Sequence, residues 1–197
     1  MNLCADSSTG ELALFQGQDG GSIPTSAHQF IVRPISKLTA NRFIERHHYL
    51  GITPFLSTYH YGAYFGDLIY GAIAFGTPNA TDISGLFSKN NQDGVLEIKR
   101  LAMTDSAPKN SESRFIAISV RLLRREYPLR LLVTYADSSL HVGTIYKASG
   151  FEYVGLTATK CDFWVNGKIN QRGKVSHLDG KWVPRSQKHL FLKSFSP

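Results

Sequence analysis

Cysteine is scarce in this 197-residue chain: there are two, Cys4 and Cys161, and no Cys-x-x-Cys pair. That excludes a zinc knuckle and a disulfide framework, and both thiols read as inert rather than catalytic. Long apolar runs are missing too. Nothing approaches the roughly 18 residues that a bilayer span needs, and no secretory leader opens the chain, so the expectation is a cytosolic protein with reduced thiols and no membrane partner. Acidic residues are in deficit, 15 against 22 Lys and Arg, for a formal net charge of +7. Such a balance favours an anionic partner such as nucleic acid or a membrane surface. Several signatures are absent: a P-loop, a Gly-x-Ser-x-Gly elbow, a Gly-x-Gly-x-x-Gly entering a helix, and the Asp-Pro-Pro-Tyr signature of adenine methyltransferases. Their absence removes the usual NTPase, hydrolase, dinucleotide and methyl-transfer readings.

What is present describes a globular chain, with 42% hydrophobic and 19% charged residues. Residues Met1 to Ala27 are rich in Gly, Ser, Asp and Gln and read as a loose arm. Residues 28–197 read as one catalytic domain with a basic C-terminal extension. Phe30 to Ile35 is a candidate edge strand because Pro34 cannot donate to a ladder. Thr39 caps a predicted helix through TANRFIERHHYLG, which Gly51 stops. Ser57 to Phe65 and Leu68 to Phe75 alternate around Gly66-Asp67 and predict a hairpin. Pro78 to Gly94 is a loop, and Val95 to Met103 a strand. Ser111 to Tyr127 is the clearest helix, with Phe115, Ile118, Leu122 and Leu123 as its buried stripe. Leu129 to Tyr135 is a buried strand, Gly143 to Ser149 a short helix, and Phe151 to Gly155 and Cys161 to Val165 further strands. Asn166-Gly167 turns toward Lys168 and Ile169, and the tail from Gln171 is basic and mixed. This order predicts an α/β chain: a mixed twisted sheet flanked by helices.

Four groups of residues can carry chemistry. Tyr146 begins Tyr-x-x-x-Gly-Phe, a spacing that resembles the end of the last core helix of GNAT acyltransferases, where a tyrosine protonates the leaving thiolate; alternatively it packs that helix onto the sheet. Asp137 closes the strand LLVTYAD at the rim where α/β sheets hold ligands, and can accept a proton, bind a metal, or form an Asx turn. His47, His48 and Tyr49 end a helix, as surface residues or as part of an oxygen-rich iron site. Lys99, Arg100, Arg114, Arg121, Arg124 and Arg125, with Arg172, Lys174, Lys181, Arg185, Lys188 and Lys193, can neutralise phosphates. Tyr59, Tyr61, Tyr64, Trp164 and Trp182 are candidates for a wall on which a flipped base stacks. The glycine-rich phosphate loop of acyltransferases is missing: the junction reads DSAPKNSESRF. Its serines and helix-start amides can still hold an anion.

The segments IKRLAM, PKNSESRFI, YADSS, VGTIYKASGF with YVG, and HHYLG resemble the Mom family of phage DNA-modification proteins, from about Arg42 to Gly155. The resemblance implies a GNAT-like fold. It also implies conversion of adenine in double-stranded DNA to its N6-carbamoylmethyl form in the host cytoplasm, which protects phage DNA from restriction. Acetyl-CoA or a related donor, and iron, are the implied cofactors. By position, Arg100, Ser113, Asp137 and Tyr146 match the functional residues. Ser111 and Arg114 join Arg100 and Ser113 on the donor, and His48 and Tyr49 join Asp137 on a metal. Asp137 and Tyr146 are expected around one pocket that takes an extruded purine. A conventional N-acetyltransferase of proteins or small amines, or a non-catalytic DNA-binding anti-restriction protein, are the competing readings. Oligomeric state is left open.

Overall fold

The computed structural model describes residues 30–51, 55–78, 94–170 and 179–196. The arm over Met1 to Ala27, Cys4, most of the Pro78 to Gly94 loop, and Arg172 and Lys174 lie outside the described residues. The chain divides into two compact units, residues 1–77 with 99–126, and residues 78–98 with 127–197.

In the first unit, strand β1 (Phe30–Pro34) pairs antiparallel with β2 (Tyr59–Phe65), and β2 with β3 (Leu68–Gly76). The later half of β4 (Val95–Met103) follows β3 in the sheet order. β1 is the edge strand that Pro34 requires. Helix α1 (Lys37–His47) starts three residues earlier than the sequence suggests. Ser36, not Thr39, is its cap: the Ser36 hydroxyl accepts the Thr39 N–H at 3.0 Å. Helix α2 (Ser111–Glu126) buries Phe115, Ile116, Ser119, Val120 and Leu123, while Ile118 and Leu122 of the expected stripe are only half-buried. Alternation along β3 lets helices cover both of its faces. Ala72 and Ala74 pack with Phe43 and Ile44 of α1 and with Ala102 of β4. Gly71 points the other way, where a Cβ would meet Phe115 of α2 at 3.2 Å.

In the second unit, the early half of β4 pairs in parallel with β5 (Leu131–Asp137) over three positions, Val95 to Glu97 against Leu131 to Val133. A short helix α3 (Thr144–Ala148) leads to β6 (Glu152–Leu156). Strands β7 (Cys161–Val165), β8 (Lys168–Asn170) and β9 (Lys181–Pro184) form a separate antiparallel sheet, with Asn166 and Gly167 both at positive φ in the turn between β7 and β8. The last strand, β10 (Lys188–Ser194), lies within what the sequence suggests is a mixed basic tail. It inserts between β5 and β6, antiparallel to both. Its HLFL centre is covered unequally: Phe191 has no exposed surface, while Leu190 and Leu192 on the other face are half-buried against Val95, Leu131 and Val133.

Candidate active site

Asp137 ends β5, beside Lys188 of β10 in the strand register. Its carboxylate is held on both oxygens. Oδ1 accepts the Ser139 N–H at 3.0 Å and the Ser139 hydroxyl at 2.6 Å, and Oδ2 accepts the Ser186 hydroxyl at 2.7 Å. The Ser139 bonds make the Asx turn that the Asp-Ser-Ser sequence permits. Partial burial pushes the carboxyl up, but the hydrogen bonds from Ser139 and Ser186 and the nearby Lys188 charge outweigh it and hold it below the usual carboxylate range. Asp137 is therefore a fixed, ionised acceptor. Ser139 is legible from the short Asp-x-Ser spacing, whereas nothing local marks Ser186.

Residues 138–143 join Asp137 to α3 and are tied at both ends. Asp137 O accepts the N–H groups of Leu140 at 3.1 Å and His141 at 2.8 Å, and Gly143 O accepts that of Tyr146 at 3.0 Å. Gly143 has φ +72, and its α-carbon lies so close to the Phe191 ring that a Cβ would come within 2.2 Å of it. Tyr146 follows on α3, 8% exposed, with ring centroids 5.8 Å from Phe151 and 5.5 Å from Phe191. The packing alternative for Tyr146 is thus realised: it fixes α3 against β10 through aromatic contacts.

In the first unit, Arg100 donates from its guanidinium to Lys99 O at 2.7 Å and lies over the Phe55 ring at 5.0 Å. Lys99 itself is buried, which corrects its reading as a surface phosphate contact. Tyr61 and Tyr64 are buried as well, and the Tyr61 hydroxyl donates to Glu126 at 3.3 Å, so neither is a stacking wall for a base. Trp182, in the second unit, is the most exposed aromatic of that set among the described residues.

At the start of α2, Ser111 is buried, the Ser113 hydroxyl donates back to Asn110 O at 3.2 Å, and Arg114 lies over the Phe30 ring at 4.8 Å. Asn110 has φ +66. It makes the left-handed turn into the helix that glycine makes elsewhere, because a short amide side chain tolerates that region. This is how the junction does without glycine, a role the sequence reading misses. The Ser111 N–H is taken by Pro108 O at 3.1 Å and Glu112 puts a carboxylate in the same turn, so the remaining first-turn amides and the exposed neighbour Lys109 are what can meet an anionic donor.

An iron ion fits the expected ligands poorly. His48 Nδ1 accepts the Leu50 N–H at 3.1 Å, so the neutral ring carries its proton on Nε2 and has no lone pair to give there. Metal-bound histidines show the reverse, donating from the second nitrogen. Tyr49 stacks on His48 with centroids 4.4 Å apart, and both Asp137 oxygens are engaged by serines. Among the described residues, no three of His, Cys, Asp and Glu are grouped to hold a metal. Cys161 is an exposed free thiol.

Solved structures similar to this chain share its fold. Arabidopsis thaliana NAA60 in complex with acetyl-CoA is 13% identical with a TM-score of 0.56, covering 85% of this chain and 99% of that one. The Escherichia coli ribosomal-protein-S18-alanine N-acetyltransferase is 9% identical with a TM-score of 0.54, covering 86% and 96%. A GNAT family acetyltransferase from Elizabethkingia anophelis with acetyl-CoA bound is 14% identical with a TM-score of 0.50, covering 84% and 98%. The fold is that of the GNAT acetyltransferases, a mixed α/β sheet with helices. By sequence, the methylcarbamoylase Mom of Escherichia phage Mu is 28% identical over 169 residues, which is 83% of this chain but 64% of that protein, so the chain spans less than two thirds of its relative's length. Residues 29–191 match the Mom protein family, from before β1 into β10, and the chain belongs to that family.

Proposed function

We propose that this chain modifies adenine in double-stranded phage DNA, placing a carbamoylmethyl group on N6 and so shielding the DNA from host restriction. One observation carries the reading: the family match over residues 29–191 takes in every candidate site residue from His48 to Tyr146. The phage Mu relative is named a methylcarbamoylase, which supports transfer of a carbamoyl-containing group in general. The net charge of +7 suits a polyanionic substrate in the host cytoplasm.

Adenine N6 is paired inside the duplex, so transfer to it calls for an extruded base. As N6 bonds to carbon it must lose a proton. Asp137, fixed by Ser139 and Ser186, accepts a hydrogen bond from the amino group and aims its nitrogen. With its carboxyl held low, it orients the amine, and the proton that N6 releases passes on to solvent. Tyr146 shapes the aromatic wall on the α3 side of Asp137's own unit. Arg100, pinned by Phe55 and Lys99 O, sets a positive charge for the donor.

A donor of the acetyl-CoA type fits the start of α2, where Ser113, Arg114, Lys109 and the first-turn amides would hold its phosphates and Ser111 would support the turn from inside. When bound, such a donor supplies an activated two-carbon unit. Simple acyl transfer would leave an amide on N6. The carbamoylmethyl product instead needs N6 joined to the methyl carbon, which replaces a C–H bond and so requires a two-electron oxidant, and an amide nitrogen from a second source. No step is assigned to iron, because the candidate ligands do not fit it.

The deciding experiment is co-expression of the chain with a plasmid, followed by mass spectrometry of the digested nucleosides. A deoxyadenosine heavier by one carbamoylmethyl group is expected. Unaltered nucleosides together with salt-dependent DNA binding would replace this reading by a non-catalytic one, and acetylation of free amines without DNA by a conventional acetyltransferase.

A further inference from the structure

We propose that the loop over residues 138–143 is a wedge that enters duplex DNA, with Leu140 and Val142 filling the base stack beside the adenine that Asp137 receives. The inference rests on the adenine-modifying reading and adds to it the element that keeps the base out.

Three observations on this loop converge. Leu140 is 56% exposed and Val142 is 64% exposed, two aliphatic side chains two positions apart, the first of them three positions after the candidate catalytic carboxylate. Apolar side chains of this kind serve, in proteins that kink or open DNA, as inserts between base steps. Second, the loop is stiff. Gln187 O accepts both the N–H and the hydroxyl of Ser138, at 3.0 and 2.7 Å, which adds to the bonds at Asp137 O and Gly143 O and to the seat of Gly143 on Phe191. A wedge must be held by its base, since a slack loop would fold its apolar tips back rather than push a stack apart. Third, the loop carries no carboxylate between Asp137 and Gly143, and exposed Lys188 lies on the chain segment that anchors it, close to Arg185, which is paired with Asp162 at 3.7 Å. Lys188 suits the phosphates that flank an opened step. The loop therefore joins a positive anchor, apolar tips and a receiving carboxylate over a few residues of one unit, and duplex DNA is the occupant that uses all three.

The test uses the full chain and a duplex in which 2-aminopurine replaces the target adenine, because its fluorescence rises when the base leaves the stack. Wild type should raise that signal several-fold. The variant carrying Leu140→Ala and Val142→Ala should lose about two thirds or more of the rise on a paired duplex while its duplex affinity by anisotropy changes about threefold or less. Placing an abasic site opposite the probe removes the need to break a pair and should restore the signal. Leu140→Phe, which keeps a large apolar tip, should retain it. A double variant that matches wild type on the paired duplex overturns the wedge, as does one equally deficient on both duplexes. The functional reading fails separately, through unaltered plasmid nucleosides from wild-type co-expression.

Discussion

Asp137 and Ser186 stand 49 positions apart in the chain, yet the Ser186 hydroxyl donates to Asp137 Oδ2 across 2.7 Å. The bond depends on β10 lying beside β5, because the segment that carries Ser186 leads into β10. With Ser139 on the other oxygen, it fixes the direction of the carboxylate and favours its charged form. A lowered carboxyl stabilises the fold above the ordinary carboxylate range, and that contribution is lost as pH falls through the folded-state value. Asp137→Asn should abolish adenine modification in co-expressed plasmid while leaving the circular dichroism spectrum unchanged. Ser186→Ala should keep a partial activity, reduced by about tenfold, since one hydrogen bond to a charged group is lost. Its Asp137 carboxyl should titrate higher than in wild type by carbon-13 NMR. An Asp137→Asn chain that modifies DNA at the wild-type rate would remove Asp137 from the site.

Gly143 tests whether the connection behind Asp137 is as tightly built as it reads. A methyl group there would overlap the Phe191 ring at 2.2 Å and force a non-glycine residue to φ +72. Phe191 is fully buried in β10 and cannot swing aside cheaply. Gly143→Ala should cost about 2–5 kcal/mol, as strain and overpacking combine. Urea unfolding should show a lower midpoint with an unchanged slope.

Tyr146 has two separable parts, ring and hydroxyl. The ring packs between Phe151 and Phe191, so Tyr146→Ala should destabilise the fold by about 3–5 kcal/mol. Tyr146→Phe keeps the ring, and its stability should fall by about 1 kcal/mol or less. If the phenol serves the donor, Tyr146→Phe should lose modification of plasmid adenine by about 100-fold, within the usual range for a positioned acid. Full activity in that variant would leave Tyr146 with packing alone.

The local parts of this structure were open to reading from the sequence, and its long-range parts were not. The Tyr59 to Phe75 hairpin and α2 announce themselves through alternation, a Gly-Asp turn and a strong apolar stripe. Asp137 stands out because LLVTYAD is an apolar run that ends in a charge. Other features lack such a signal. Lys188 and Lys193 flank the apolar centre of β10 and make it resemble a basic tail, although the strand is sandwiched between β5 and β6. Ser36 and Thr39 are both good caps by residue type, and only the hydrogen bond between them shows that Ser36 is the acceptor. Asn110 gives no sign in sequence that it adopts a left-handed turn. Ser186 becomes part of the candidate site only through strand pairing, which no local pattern encodes.

Acid should weaken the first unit through His60. This ring is buried on β2, and its Nε2 lies 2.8 Å from the Ser57 hydroxyl. Burial first, and then the Lys37 charge, lower its pKa from the ordinary 6.5, so the fold prefers the neutral ring. The unfolded chain takes up its proton at the ordinary value, and the folded chain only at a lower pH. Between those two values the unfolded state binds more protons, so stability must fall as pH drops through that window, with no contribution from His60 above it. His47, also held low by burial and then by Arg46, acts in the same direction. Urea unfolding at pH 7.5 and 5.5 should therefore show a loss of stability on acidification that shrinks in His60→Gln. Lys37→Met should also shrink it, because removing that charge raises the histidine toward its ordinary value. If His60→Gln loses as much stability between the two pH values as wild type, the titrating group is elsewhere.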